Sequence, residues 1–321
     1  MKRIAITGVS GYIGSKLLSR LDGIAGVDRI VGIDIKPPRN KPPKLRFYCL
    51  DILKPLGDIF AENKVDTAIH MAFVLKPTHN TRGARQIDIG GTSNFLEACQ
   101  QAQVKHILYL SSHTVYGAHP DNTQPLDEDS AIRPLSSFQY SRDKAEAERM
   151  LINFATAHRN VCLTILRSCP VIGPNASNSV VTSMLKPRMI YVAGYDPPMQ
   201  FVHEDDLAEL IITFLNQKKG GIFNVAGDGE IRYSEIARLC GRRTVTLPKW
   251  LLHFLMSLSW VLRLQSESPA SGLEFIKYPP IVSTEKLKRE VGFQFRYSSR
   301  EAIASFLSAN SSVIRLKNLP L

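Results

Sequence analysis

The chain has 321 residues, of which 44% are hydrophobic and 21% charged. This composition is typical of a globular protein of about two domains at ~150 residues each, and it excludes a disordered, collagen-like or disulfide-stapled chain. The 40 Lys and Arg residues outnumber the 29 Asp and Glu residues, giving a net charge of +11, which favours an anionic partner without identifying it.

Cysteine usage and hydropathy predict a cytoplasmic protein. The five cysteines form no C-x-x-C pair, so we expect reduced thiols and neither a disulfide framework nor a metal site. The apolar run after Met1 ends at Thr7, too early for a signal peptide. The longest apolar stretch, residues 250–264, is shorter than the ~20 residues of a membrane-spanning helix. Because no nucleic-acid-binding motif is present, we expect a small-molecule partner.

Short apolar runs alternate with helical patterns through the first half of the chain. This alternation predicts βαβ units and a parallel sheet. The predicted strands cover residues 4–7, 29–34, 47–50, 67–70, 106–110 and 161–166. The predicted helices cover residues 12–21, 84–102 and 140–158. A basic, Pro-rich surface loop is expected at residues 36–46.

The pattern changes after Gly173 and Pro174 to short strands and scattered helices. We therefore predict an α/β fold with a doubly wound parallel sheet over residues 1–172. A smaller C-terminal α/β lobe over residues 173–321 is expected to bind the substrate. The prediction leaves open that segments of this lobe add to the central sheet.

Glycines recur at three positions between the first predicted strand and the first predicted helix. A dinucleotide pyrophosphate binds to bare backbone N–H groups at a helix N-terminus, and glycines allow the close approach. The pattern follows a strand and opens a helix, which is the context that such a motif requires. We assign to cofactor binding Gly8, Gly11, Tyr12, Ile13 and Gly14.

Asp34 closes the second predicted strand, 20 residues after Gly14. A carboxylate there accepts hydrogen bonds from the adenosine ribose hydroxyls and repels a 2′-phosphate. We therefore expect NAD, with NADP as the less favoured alternative because the loop 36–46 is basic. Asp51 and Ile52 follow the third strand and are expected at the adenine edge.

A proton-transfer group is predicted where the fifth strand meets the last helix of the sheet region. Tyr140 and Lys144 stand at i and i+4 on one helix face. A phenol with a pKa near ~10 is a poor base at neutral pH, but a neighbouring ammonium favours the phenolate. Ser112 follows the fifth strand, and strand carboxyl ends face the ligand crevice. We expect Ser112 to hold the reacting oxygen while Tyr140 exchanges its proton.

Several segments along the chain together resemble one superfamily. They are TGVSGYIG (residues 7–14), HMAF (70–73), GGTSNFLEAC (90–99), SSHTVYG (111–117), YSRDK (140–144), LRSCPVIGP (166–174) and FVHEDDLA (201–208). On these segments the chain resembles the extended short-chain dehydrogenase/reductase superfamily, and within it the NAD-dependent epimerase/dehydratase family. The resemblance extends over nearly the whole chain.

The resemblance implies a Rossmann domain that binds NAD and a C-terminal lobe that closes over the substrate. It implies that Ser112, Tyr140 and Lys144 are the catalytic Ser/Thr-Tyr-Lys triad, the last two also contacting the cofactor. It further implies that the cofactor cleft is lined by Met71, Ala72 and Phe73. Homodimers are common in the family, so a homodimer is also expected.

The chain departs from the family where nucleotide-sugar members bind their substrates. Those members carry an Asn at the position of Pro170 and an Arg-Asp pair at that of Met199 and Gln200. Sugar 4,6-dehydratases carry an Asp-Glu pair where this chain has His113 and Thr114, so dehydration is disfavoured. The candidate substrate contacts are His113, Pro170 and Met199.

Arginines elsewhere are candidates to replace the missing phosphate contact: Arg188, Arg167 or an arginine nearer the C-terminus. Two further departures lie near the expected cofactor cleft. Asp88 stands where an Asn is usual, and Phe73 stands where an Ala is usual.

Three functions remain open on the sequence. The first is NAD-dependent hydride transfer at a secondary alcohol in nucleotide-sugar chemistry, as in a UDP-sugar 4-epimerase. The second is an NAD(P)-dependent reductase or dehydrogenase of a hydrophobic ketone or alcohol, similar to flavonoid and steroid reductases, which Pro170 and the apolar stretch 250–264 favour. The third is a non-catalytic NAD-binding sensor, which the complete triad disfavours.

Overall fold

The computed structural model describes residues 1–123, 125–265 and 269–311. Its strands are β1 (Lys2–Thr7), β2 (Val27–Asp34), β3 (Leu45–Cys49), β4 (Thr67–His70), β5 (His106–Ser112), β6 (Cys162–Ser168), β7 (Val171–Ile172), β8 (Arg188–Val192), β9 (Pro198–Met199), β10 (Val202–His203), β11 (Gly221–Val225), β12 (Ile231–Arg232) and β13 (Arg243–Leu247).

Helices connect and cover these strands. They are α1 (Tyr12–Leu21), α2 (Gly57–Glu62), α3 (Thr81–Arg85), α4 (Gly91–Gln101), α5 (Gln139–Ala157), α6 (Ser179–Met184), α7 (Glu204–Gln217), α8 (Tyr233–Leu239), α9 (Lys249–Val261), α10 (Gly272–Lys277), α11 (Glu285–Val291) and α12 (Ser299–Ala309). A π-helical turn at Gln86–Gly90 joins α3 to α4, and a 3-10 turn at His113–Tyr116 follows β5.

Within the part of the chain that the structure describes, seven parallel strands form the central sheet in the order β3-β2-β1-β4-β5-β6-β11. The order reverses between β1 and β4, and ligands of such sheets bind at that point, outside the carboxyl ends of the strands. The predicted α/β fold with a doubly wound parallel sheet is confirmed.

Both faces of the sheet are covered, which explains why its strands read as continuous apolar runs. One face packs against α1 and α7 around Ile4, Leu17 and Leu210. The other packs against α2, α4 and α5 around Phe60 and Phe95. Burial from both sides fixes the strand ends, and with them the positions of the side chains at the crevice.

One predicted helix is wrong in its continuity. The sequence predicted one helix over residues 84–102, whereas the structure has α3, the π-helical turn and α4 in succession. The π-turn buries the Asp88 side chain, which a regular helical pattern does not anticipate. Smaller differences affect strand ends: β5 runs on to Ser112, and β3 begins at Leu45, which shortens the predicted basic loop.

The C-terminal part combines short strand pairs with helices. β7 pairs with β10, β8 with β13 and β9 with β12, and α6, α8 and α12 share a core that includes Phe201, Ile236 and Phe306. β11 returns to the central sheet beside β6. The division at residues 172 and 173 stays a prediction. Among the described residues no helix is both long and apolar enough to cross a membrane.

Candidate functional site

The glycines of the β1–α1 loop are required by its backbone. Gly8 has a φ of +75°, and a Cβ atom there would lie 2.8 Å from the backbone nitrogen of Ala72. A Cβ on Gly14 would overlap the carbonyl oxygen of Gly8. Gly11 precedes α1, and among the described residues no side chain caps this helix or places an acid in its first turn. The N-terminus of α1 therefore presents bare N–H groups, as a pyrophosphate requires.

Asp34 is held at the end of β2 by the same loop. Its carboxylate accepts hydrogen bonds from the backbone nitrogens of Ser10, at 3.0 Å, and of Lys36, at 3.2 Å. The Ser10 hydroxyl also donates to the carbonyl of Lys36, at 2.6 Å. The acid is therefore oriented by backbone groups, as the predicted ribose contact requires.

Asp51 and Ile52 have structural partners in the turn after β3. The Asp51 carboxylate accepts a hydrogen bond from the backbone nitrogen of Leu53 at 2.9 Å. Ile52 is buried, and a Cβ on Gly91 at the start of α4 would collide with its side chain. Their contact with adenine stays a prediction.

A buried histidine that the sequence analysis did not single out fixes the strand end next to the glycine loop. His70 Nδ1 lies 2.8 Å from Thr7 Oγ1, and its Nε2 lies 3.0 Å from Thr92 Oγ1. Thr7 Oγ1 accepts from the two backbone nitrogens after His70, and Thr92 Oγ1 donates to the Asp88 carbonyl. This assigns the proton to Nε2. Burial lowers the pKa of His70 to about 3, so the ring is neutral.

The structure brings Ser112, Tyr140 and Lys144 together at the carboxyl end of β5. The Ser112 side chain lies beside the Tyr140 hydroxyl and acts to lower its pKa. Ser112 Oγ accepts hydrogen bonds from the backbone nitrogen and the hydroxyl of Thr114, at 3.2 and 3.0 Å. Lys144 Nζ donates to the Leu110 carbonyl at 2.7 Å. Serine and lysine are therefore anchored around the phenol.

Burial moves the two titratable groups of this cluster in opposite directions. Burial raises the pKa of Tyr140 to about 12, against the opposing effect of the Ser112 hydrogen bond. Burial lowers the pKa of Lys144 to about 7, although the charges of Asp88 and Glu148 favour the ammonium. Such large pKa shifts in a crevice are typical of functional sites.

Phe73 and Asp88, the two departures from the family pattern near the predicted cofactor cleft, border this cluster. The Phe73 ring centroid lies 3.8 Å from Lys144 Nζ and 6.0 Å from the Tyr140 ring. The next residue, Val74, donates its backbone N–H to the Asp88 carboxylate at 2.7 Å. Burial raises the pKa of Asp88 to about 7. The departure from Asn to Asp therefore places a titratable group beside the cluster.

An aromatic edge next to Tyr140 is formed by two residues that are distant in sequence. Phe138 lies 6.3 Å from Tyr140, ring centroid to ring centroid, and 4.9 Å from Phe275 of α10. The Ser271 hydroxyl ties the same segment to the Ser137 carbonyl at 2.9 Å. The sequence analysis missed this aromatic edge because Phe138 and Phe275 meet only in the folded chain.

The candidate substrate residues have separate surroundings. His113 is buried, its Nδ1 donates to the Ser168 carbonyl at 3.2 Å, and burial lowers its pKa to about 4. The Pro170 carbonyl accepts from Val202 at 3.1 Å. Met199 pairs with β12 and packs on the C-terminal core, and Arg188 is exposed at the start of β8. Their substrate contacts stay predictions.

Two side chains near the expected substrate pocket form hydrogen bonds within the protein. Arg167, expected as a possible phosphate ligand, is buried and donates through Nε to the Glu148 carboxylate at 2.9 Å and through a terminal nitrogen to the Tyr116 hydroxyl at 2.8 Å. Gln200 pairs through both ends of its amide with the backbone of Val282, at 2.8 and 3.1 Å. Arg167 is therefore not the phosphate ligand that the sequence suggested, because its guanidinium forms a buried ion pair with Glu148.

Tyr12 combines its expected position with a contact that the sequence did not indicate. Its hydroxyl donates to the buried carboxylate of Glu204, at the start of α7. Lys16 Nζ, at 3.1 Å, and the Asn175 side chain, at 2.7 Å, donate to the same carboxylate. The side chain of Tyr12 thus joins the glycine loop to the C-terminal part, leaving its backbone for the predicted cofactor contact.

Comparisons with known proteins identify the family and the fold. The model of the NAD dependent epimerase/dehydratase family matches residues 4–226. An uncharacterized Mycobacterium tuberculosis protein is 25% identical over 316 residues, covering 95% of this chain and 83% of that protein. The UDP-glucose 4-epimerase of Yersinia enterocolitica is 28% identical over 254 residues, covering 68% of this chain and 75% of the relative.

Solved structures share the fold at lower identity. The UDP-glucose 4-epimerase of Thermotoga maritima with UDP-glucose has a TM-score of 0.77 and 18% identity, covering 97% of this chain and 99% of that one. The dTDP-glucose 4,6-dehydratase of Bacillus anthracis with NAD has a TM-score of 0.73 and 17% identity, with 97% of each chain covered. Similarity at this identity establishes the architecture alone.

Proposed function

The chain belongs to the NAD dependent epimerase/dehydratase family, and from that premise we propose that it transfers a hydride between NAD and the carbinol carbon of a secondary alcohol. The observation that supports this most directly is the meeting of Ser112, Tyr140 and Lys144 at the crevice. A non-catalytic sensor would not require a phenol and an ammonium whose pKa values are both shifted by burial.

The glycine loop fits a dinucleotide. Backbone atoms occupy the space that a Cβ would need at Gly8 and Gly14, and the first turn of α1 opens without a side-chain cap. Asp34 suits the adenosine ribose hydroxyls and disfavours a 2′-phosphate. When bound, NAD supplies the hydride acceptor and, once reduced, the hydride donor.

Tyr140 moves the proton. It takes the proton of the substrate hydroxyl during oxidation and returns one during reduction, as a positioned general base and acid. Ser112, whose oxygen already accepts from Thr114, directs its own hydrogen toward the reacting oxygen. Lys144 Nζ lies 5.9 Å from the centre of the Tyr140 ring, so its ammonium form favours the phenolate.

For the substrate we propose an alcohol or ketone with an apolar body. The aromatic rings of Phe73 and Phe138 flank Tyr140, and Phe275 packs on Phe138. Arg167, one of the arginines considered as a phosphate ligand, is paired within the core and does not serve a nucleotide substrate. Binding sites for apolar ligands combine such walls with a few polar groups that orient the reacting atom.

Nucleotide-sugar 4-epimerisation is the second candidate, and the named relatives favour it. UDP-glucose 4-epimerases are 26% and 28% identical to the chain over 252 and 254 residues. The same three side chains would serve, with the ketone rotating and receiving the hydride on its other face. This chemistry requires a UDP contact that Pro170 and Met199 do not supply with their side chains.

Thermal unfolding with NAD, in the presence and absence of UDP, separates the candidates. A ligand that binds only the folded chain stabilises it by about 2.7 kcal/mol at a hundredfold excess over Kd. The proposal expects stabilisation by NAD, no further rise with UDP, and oxidation of NADH at 340 nm with a steroid-type or flavonoid-type ketone. A further rise with UDP would favour the epimerase. Failure of NAD to stabilise the chain would contradict the cofactor assignment.

A further inference from the structure

Helix α9 carries apolar side chains on two opposite sides, and one of these sides packs against the C-terminal part of the chain. Leu252 and Met256 face inward, in contact with a cluster that includes Val192 and Leu273. The opposite side carries large apolar side chains at helical spacing, which we call the α9 face: Trp250 (71% exposed), Phe254 (57%), Leu255 (44%), Leu258 (43%) and Val261 (75%). A helix that is apolar all round is normally covered on every side. The α9 face is therefore expected to have an occupant.

Helix α9, which carries the α9 face, contacts the segment that follows Phe73 of the candidate site. The Trp260 ring, at the inner edge of α9, stacks on His79 with 4.0 Å between centroids. His79 is six residues after Phe73, whose ring contacts Lys144 Nζ. A chain of that length spans at most about 20 Å.

The segments that meet at this contact have one sign of charge. Residues 71–86 and 241–265 contain no Asp or Glu. Exposed cations in them include Lys76, Arg82, Lys249 and Arg263. Carboxylates of other elements pair with some of the cations: Glu274 of α10 lies 3.4 Å from Lys249 Nζ, and Asp143 and Glu146 of α5 pair with Arg85. The two segments that meet at the His79–Trp260 contact thus carry a surplus of positive charge.

We propose that the α9 face docks onto a bilayer surface that contains anionic lipid, with α9 lying in the interface plane. Apolar side chains that enter the headgroup boundary, flanked by Lys and Arg, have the chemistry of an interfacial helix. A second copy of this chain fits less well. A two-fold contact sets the same patch against itself and would bring like cations together.

The chain has its own probe for this contact, because its two tryptophans, Trp250 and Trp260, both lie on α9. The full chain is mixed with vesicles of phosphatidylcholine, with and without phosphatidylserine. We expect a blue shift of tryptophan emission and co-sedimentation with the phosphatidylserine vesicles, and weaker binding at high salt.

Matched variants separate the apolar from the ionic contribution to vesicle binding. The double variant Phe254→Glu, Leu258→Glu is expected to bind at least about tenfold more weakly, since burial of each side chain contributes more than that factor. Ile132→Glu, at an exposed isoleucine outside α9, is the control and should bind like wild type. Lys76→Gln and Arg263→Gln should each weaken binding about fivefold. Stabilisation by NAD shows that each variant is folded.

Three results would overturn the proposal. The first is no binding to phosphatidylserine vesicles. The second is equal binding by the Phe254→Glu, Leu258→Glu variant. The third is self-association of a chain that does not bind vesicles, where the Phe254→Glu, Leu258→Glu variant abolishes the self-association. That result would make the α9 face an interface between two copies. All three measurements omit the substrate, so they are independent of the proposed reaction.

Discussion

At the residue scale, the account depends on how burial sets the charge of individual groups. His70, Asp88, Tyr140 and Lys144 are grouped around one crevice, and burial opposes the charged form of each. Burial alone would leave the site neutral, so the contacts among these groups determine which of them is charged at neutral pH.

Asp88 is the residue whose replacement should show this coupling. Its charge raises the pKa of Lys144, so Asp88→Asn lowers that pKa below its value of about 7. Lys144 then loses its ammonium form at lower pH, and the alkaline limb of kcat/KM moves to lower pH. Because the pKa of Asp88 is itself about 7, the variant should resemble wild type near pH 6. An alkaline limb that does not move would remove Asp88 from this role.

Asp34 should determine which dinucleotide is bound. Its carboxylate is oriented by Ser10 and Lys36, where it meets the ribose hydroxyls and repels a 2′-phosphate. We expect Asp34→Ala to weaken NAD binding and to strengthen NADP binding. The dissociation constant for NADP divided by that for NAD should therefore fall at least about tenfold. Calorimetric titration with both dinucleotides measures this ratio, and an unchanged ratio would refute the assignment.

At the element scale, side chains pin the sheet to its covering helices. Arg167 of β6 and Glu148 of α5 form a buried ion pair, and Ser111 of β5 donates to the same carboxylate at 2.8 Å. Because all of these groups are buried, each must be paired for the elements to pack. The pair therefore holds α5, with Tyr140 and Lys144 in its first turns, against β5 and Ser112.

Removal of one partner of this pair should cost more than removal of both. Arg167→Met leaves Glu148 charged in the core, and such a loss costs about 3–5 kcal/mol. In the double variant Arg167→Met, Glu148→Gln, we expect part of that free energy of unfolding to be recovered. Urea denaturation of the wild type, of Arg167→Met, of Glu148→Gln and of the double variant provides the comparison. Additive losses would show that the two side chains act independently.

At the scale of the whole molecule, patterns that are local in sequence were predictable. The glycine loop, Asp34 and the Tyr140–Lys144 spacing each lie within one or two elements, and the alternation of strands and helices implies the sheet that brings them together. The fold and the proximity of Ser112, Tyr140 and Lys144 therefore followed from periodicity and short motifs, and the resemblance to the family depends on the same segments.

Contacts between distant residues were not predictable, because periodicity does not specify partners. Tyr12 meets Glu204 across 192 positions, and Gln200 meets Val282 across 82. The pairing of Arg167 with Glu148 removed a candidate phosphate ligand for the same reason. The π-helical turn at Gln86–Gly90 was missed because the flanking residues fit an uninterrupted helix.

Buried histidines should make the whole chain sensitive to acid. Burial lowers the pKa of His106 from 6.5 to about 4, so between these pH values the unfolded chain binds a proton that the folded chain does not. The free energy of unfolding therefore falls as the pH falls, by about 1.4 kcal/mol per pH unit for this group.

The variant His106→Asn should make that pH dependence shallower by about the same 1.4 kcal/mol per pH unit. Urea denaturation between about pH 6 and 4.5 measures the slope. His253→Asn, at an exposed position of α9, is the control and should keep the wild-type slope. A wild-type slope in His106→Asn would refute the assignment of the acid sensitivity to this buried ring.

The central claim is that Tyr140 moves the substrate proton while NAD exchanges the hydride. The most direct measurement compares wild type and Tyr140→Phe by NADH oxidation at 340 nm with a panel of hydrophobic ketones and by interconversion of epimers with UDP-sugars, with NAD affinity measured in parallel. We expect Tyr140→Phe to lose about 10²–10⁴-fold in turnover, the contribution of a general acid or base, with NAD affinity unchanged. Turnover by Tyr140→Phe equal to that of wild type would contradict the account.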